Sequence, residues 1–118
     1  MKNESKTITE ILNSGLAIEA AIYQGDYKVN NRELKKTYKL FKKAYNADRD
    51  TFLNNIVPVL LEKGNYSVKI QTCSFLFEIK TYEKESEDLL KEIVADKEAR
   101  IFSHQAKIVL HCSRGIKL

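Results

Sequence analysis

Tryptophan is absent from this 118-residue chain, and the residues that punctuate or staple a fold are scarce: one Pro, four Gly, two Cys and one Met. An all-β sandwich needs a turn roughly every 8–12 residues and the Gly and Pro to make them, so that class is excluded. Two cysteines cannot build a disulfide framework. The longest apolar run, Ile56 to Leu61, is far short of the ~20 residues that cross a bilayer. No apolar stretch of secretory type follows Met1 to Lys6, so a signal peptide is not expected. The glycines at 15, 25, 64 and 115 are isolated, which leaves no Gly-rich phosphate loop. A small, soluble, cytoplasmic and helix-rich protein is the expectation.

What is present supports a core. The chain is 43% hydrophobic and 31% charged, and one of this length buries about two-thirds of its unfolded surface, enough for a single domain. The periodicity predicts six helical segments and no strand. Thr7-Ile-Thr-Glu10 has the form of a capping box, so the first helix is expected near Thr7, ending at Gln24-Gly25-Asp26. The second is expected from Asn30 or Asn31, with Leu34, Thr37, Tyr38, Phe41, Ala44 and Tyr45 on one apolar face. A third, about Asp50 to Lys63, contains Pro58, which should kink or divide it, and stops at Gly64-Asn65. The fourth, about Ser67 to Ile79, is apolar almost all round and should be buried. The fifth is expected to begin at Glu85 or Ser86. The sixth should run from near Ala99 to Ser113-Arg-Gly115. Short helices joined by short turns give antiparallel neighbours, and the expected fold is all-α, a compact stack of about six antiparallel helices.

Ile56-Val-Pro-Val-Leu-Leu61, a turn at Gly64 to Ser67, then Val68-Lys69 resembles a HEAT-type repeat, in which a Leu-Leu pair ends one helix and a Val-Arg dipeptide opens the next. The helix pairs at about 50–79 and 85–113 are similar to such repeats in outline. With Gly25-Asp26, Asn31-Arg32 and the closing Ala106, Leu110 and Gly115, the chain resembles a family of short bacterial domains of unknown function with HEAT-like helices. That resemblance implies α-solenoid pairing in the second half and supplies no catalytic residue or cofactor. Small helical proteins of this kind are similar to adaptor or toxin-immunity components.

Chemistry-bearing residues are few. Cys73 and Cys112 lack metal-ligand spacing, sit on apolar faces and read as small buried hydrophobes in a reducing compartment. His104 and His111 are two helical turns apart, ~10 Å along the axis, and cannot share an ion without ligands from elsewhere. They fall with Ser103 and Lys107 on a polar strip. Glu83, Glu85, Glu87, Asp88 and Glu92 interleave with Lys84 and Lys91 and suit a solvated helix N-terminus. No cofactor, metal or enzymatic activity is expected.

Charge is unevenly distributed around the net +4. Residues 26–49 have a local balance of +5, residues 77–99 a balance of −4, and residues 100–118 carry no acidic side chain. On a wheel at 100° per residue, Arg32, Lys35, Lys36, Lys39, Lys42 and Lys43 fall within about 120°, with no carboxylate inside the arc. A solvated face ordinarily mixes in carboxylates, because like charges at i,i+4 cost a few tenths of a kcal/mol. The stripe therefore reads either as a solvated face, since lysine forms favourable helix, or as a docking face for an acidic partner. A protein with an acidic surface is expected first. Nucleic acid, held by phosphate contacts without base readout, is the alternative.

Overall fold

Helix formers upstream of Thr7 carry the first helix further than its capping box suggests. In the computed structural model, which describes residues 2–116, α1 is Lys2–Gln24, so Thr7 and Glu10 lie inside it and cap nothing. Gly25 closes it in the left-handed conformation (φ 71°). The second helix also starts early: α2 is Tyr27–Ala47 because Asp26, not Asn30 or Asn31, is its N-cap. The Asp26 carboxylate accepts from the Val29 amide at 3.1 Å. Asp48 repeats the device one helix later, accepting from the Thr51 amide at 3.1 Å. That bond holds its carboxyl below the usual carboxylate range.

Pro58 divides the third segment. A short α3 (Arg49–Thr51) runs into a π turn (Phe52–Ile56) and then α4 (Val57–Lys63). The Val57 amide reaches back five residues to the Phe52 carbonyl. Pro58 has no amide to give and its ring crowds the preceding turn; the widened turn accommodates both defects. Then follow α5 (Tyr66–Glu78), α6 (Glu83–Ala95), a 3-10 turn (Lys97–Ala99) and α7 (Ile101–Arg114). The last two helices begin where α-helical backbone resumes after a positive-φ residue, Tyr82 and Arg100: α6 starts ahead of the expected Glu85 or Ser86, and α7 close to the start expected near Ala99. The protein is all-α, and no strand occurs among the described residues.

The chain forms two compact units, one up to Val68 and one from Lys69, with the boundary inside α5. In the first unit α1 and α2 are antiparallel across a buried polar pin. The Ser14 and Thr37 hydroxyls lie 2.7 Å apart, and both also reach the Glu33 carbonyl, at 3.2 and 2.9 Å. Ile11, Ile18, Phe41, Phe52 and Leu60 are buried beside it. Gly15 lets α1 approach the α4–α5 turn: a Cβ there would overlap Val68 Cγ2 and come within 2.9 Å of Asn65 Oδ1. Asn65 uses the closeness, donating to the Gly15 carbonyl at 2.9 Å and accepting from the Val68 amide at 3.0 Å. One side chain thus caps α5 and ties it to α1.

The second unit pairs α6 with α7, antiparallel, over Leu90, Ile93, Phe102, Ala106 and Leu110. The Ser103 hydroxyl donates to the Val94 carbonyl at 2.8 Å. At the far end Arg114 donates to Glu83 and Glu87, both at 3.1 Å, while its guanidinium sits 5.8 Å from the Phe77 ring centre. Lys91 donates to Glu87 at 3.1 Å, and Lys84 to Asp88 at 2.9 Å. Three members of the acidic cluster, Glu83, Glu87 and Asp88, are thus held in ion pairs. The Lys91 bond first, then Arg114, holds the Glu87 carboxyl below the usual glutamate range. A lowered folded pKa adds stability above the unfolded value, and that stability is lost as pH falls through the folded one. Glu87→Gln should therefore melt below the parent at pH 7, and the gap should close as pH falls below the usual glutamate range. Melting curves at three pH values check this; a gap unchanged at low pH would assign the loss to packing.

Arg100 has φ 53° and ψ −119°, a region that only glycine occupies without strain. Relief of roughly 1–3 kcal/mol outweighs the ~1 kcal/mol that glycine costs in chain entropy. Arg100→Gly should raise the melting temperature by a few degrees; a lower melting point would show that the exposed side chain contributes packing.

Candidate functional face

Helix α2 presents the one large single-sign surface the sequence indicates, and an earlier helix start enlarges it. Because α2 opens at Tyr27, Lys28 falls in the middle of the cationic arc with Arg32, Lys35, Lys36, Lys39, Lys42 and Lys43. All seven are exposed. Lys28 is the residue that a start at Asn30 conceals; the signal for it is Asp26, a strong N-cap just before Tyr27.

The core face of α2 is rotated from the expected one. Glu33, Thr37 and Phe41 are buried, whereas Leu34 and Tyr38 are 37% and 40% exposed. In this rotation the Ser14–Thr37 polar pair is sealed, and two apolar side chains stay at the rim. On the wheel Lys28, Lys35 and Lys39 lie directly opposite Thr37, at the outward pole. Leu34, Tyr38 and the 78%-exposed Tyr27 lie roughly 60–100° from Thr37, on the flank where Phe41 and Tyr45 meet Phe52. The Lys42 ammonium lies 5.5 Å from the Tyr38 ring centre and joins the aromatic flank to the cationic pole.

One of the six cations read as unpaired has a carboxylate beside it. Arg32 Nε lies 3.5 Å from Glu33 Oε2, with the Arg32 side chain open and that of Glu33 largely buried. Lysines 28, 35, 36, 39, 42 and 43 form no ion pair among the described residues. The Glu33 carboxylate is tucked under the face and does not interrupt it. The face is therefore an array of mobile point charges, with a single planar guanidinium at one side.

The residues considered for catalysis remain apart. Cys73 is buried on α5, and burial pushes its thiol up to about 12, so it stays protonated at neutral pH. Cys112 departs from expectation: it is exposed on the outer side of α7, away from the stripe of Phe102, Ala106 and Leu110. His104 and His111 share that outer side. Among the described residues no group of three or more His, Cys, Asp or Glu side chains could hold a metal ion. No helix among them is long and apolar enough to cross a membrane. Comparison with protein-family models, with curated proteins and with solved structures finds no match to this chain.

Proposed function

We propose that the protein is a non-enzymatic protein-binding module, of adaptor or immunity type, that docks an acidic partner on the outer face of α2. The observation that carries this reading is the α2 pole itself: six lysines and Arg32 over about four turns, with the Glu33 carboxylate beside Arg32 largely buried beneath them. Fixing that many like charges on one helix carries a small intrinsic cost that an anionic partner removes. The HEAT-like pairing read from Val68-Lys69 and the helices that follow belongs to this proposal, since stacked helices offer continuous outer faces. So does a cytoplasmic setting, in which Cys73 and Cys112 stay free thiols. Duplex nucleic acid is the second reading, because lysine is a serviceable phosphate contact even where bidentate geometry is absent.

Fluorescence anisotropy separates the two. A labelled poly-glutamate peptide and a labelled DNA duplex would be titrated at 50 and 200 mM salt, with Lys35→Glu, Lys39→Glu, Lys42→Glu as the reversed variant. Poly-glutamate should bind the parent and not the variant, weakening several-fold with salt, and the duplex should bind no better. Duplex binding that is tighter, and that falls about tenfold or more with the added salt, would transfer the face to nucleic acid. Equal traces for parent and variant would remove α2 from both.

A further inference from the structure

An acidic ligand need not meet anything apolar, yet exposed apolar side chains border this face on one side, whereas Val29 and Leu40 on the other are half-buried. Tyr27, Leu34 and Tyr38 run along the flank of α2 nearer Phe52, beside the lysines. The opposite margin is closed by Lys36 and Lys43. From Tyr27 to Lys43 the strip is roughly 24 Å long.

Building on the proposed acidic docking, we infer that the occupant is an acidic amphipathic helix of a partner protein, laid along α2 with its carboxylates over the lysines and its apolar stripe against Leu34, Tyr38 and Tyr27. Three features select this occupant. First, the two strips are parallel and adjacent, so the ligand must offer an anionic and an apolar strip side by side; one amphipathic helix does so. Second, a duplex is anionic along both strands and offers its phosphates to either margin alike, so it makes no use of a one-sided apolar edge. Third, a bilayer surface needs apolar side chains to lead and cations to sit at the rim. Here the order is reversed: Lys28, Lys35 and Lys39 are outermost, and Leu34 and Tyr38 are set back on the flank. The Lys42–Tyr38 contact adds a device for register. An incoming carboxylate can draw Lys42 off the ring and free the ring face for an apolar side chain.

The test uses the full chain and two labelled peptides of about 18 residues. One is helical with Glu along one face and Leu along the next; the other is poly-glutamate of equal charge. The amphipathic peptide should bind at least tenfold tighter. Leu34→Ser, Tyr38→Ser should erase that difference without weakening poly-glutamate binding, because losing the Tyr38 ring only releases Lys42. Circular dichroism would confirm that the variant is folded, and Tyr27→Ser, at an almost fully exposed site, provides a second variant should it fail. Equal affinities of the parent for the two peptides, or a difference that the flank variants do not move, would overturn the amphipathic helix while leaving the cationic face in place. Failure of both peptides to bind in a lysine-dependent way would instead overturn the acidic docking beneath it. Tighter binding to a DNA duplex, or to vesicles of phosphatidylserine and phosphatidylcholine, would also overturn the inference and assign the face to that ligand.

Discussion

Gly64→Ala is expected to destabilise the protein by about 3 kcal/mol, the upper part of the usual range for overpacking. Gly64 has φ −69° and ψ 151°, a conformation open to any residue, so no penalty arises from the backbone angles. The penalty is spatial. An added Cβ would overlap the Leu60 carbonyl oxygen and lie 2.6 and 2.7 Å from Val68 Cγ1 and Cβ. The carbonyl cannot yield cheaply, because it accepts the Gly64 amide at 2.9 Å and so terminates α4. Val68 cannot yield cheaply either, being fully buried with its amide held by Asn65. In denaturant titration the midpoint should fall with the slope unchanged. Val68→Ala added to Gly64→Ala should recover at most a small part of the loss, since the overlaps with the Leu60 carbonyl and with Cβ of residue 68 both remain. Full recovery would show that the Val68 side chain is the whole obstacle.

Which parts of this fold are legible in the sequence follows from how local their causes are. Six helical segments are visible because each depends on periodicity within its own residues. The stops at Gly25 and Gly115 are visible for the same reason, and both glycines adopt positive φ. The division at Pro58 follows from its missing amide, though not the form of the remedy, a π turn. Helix starts are less legible because capping signals compete. Thr7-Ile-Thr-Glu10 has a capping pattern that upstream helix formers override, and Asn30-Asn31 offers amide side chains where Asp26, a turn earlier, does the capping. The rotation of α2 is legible only in part. A 100° wheel places Leu34, Thr37, Tyr38, Phe41, Ala44 and Tyr45 together, and Thr37 and Phe41 are indeed buried, but the buried line is shifted to take in Glu33, on the side where Thr37 meets Ser14. That shift leaves the apolar flank exposed. The cationic half of the candidate face could therefore be read from residues 32–43, whereas its apolar half and Lys28 required α2 to be located and turned. Arg114 shows the same limit: its bonds to Glu83 and Glu87 span 31 and 27 residues.

Phe52→Ala should cost about 4 kcal/mol, within the range for deleting a fully buried phenylalanine. Phe52 is inaccessible to solvent and meets two rings of α2 edge-on, Phe41 at 6.2 Å and 74° and Tyr45 at 5.9 Å and 85°. Its place at the start of the π turn makes relaxation difficult, because the turn that would have to move into the cavity is already widened around Pro58. Phe52→Leu keeps most of the volume and loses the ring contacts, so its cost should be about 1–2 kcal/mol. The difference between the variants separates filling from ring geometry. The loss should also be local to α2. Phe41 and Tyr45 alternate with Lys39, Lys42 and Lys43 along the same turns, so loosening the inner side of those turns loosens the lysines on the outer side. Amide exchange in residues 39–45 should accelerate in Phe52→Ala more than in α6 or α7, and poly-glutamate binding should weaken under conditions where circular dichroism still reports a folded chain. Uniform acceleration throughout the chain, with binding unchanged while folded, would mean that the cationic face does not depend on this aromatic seat.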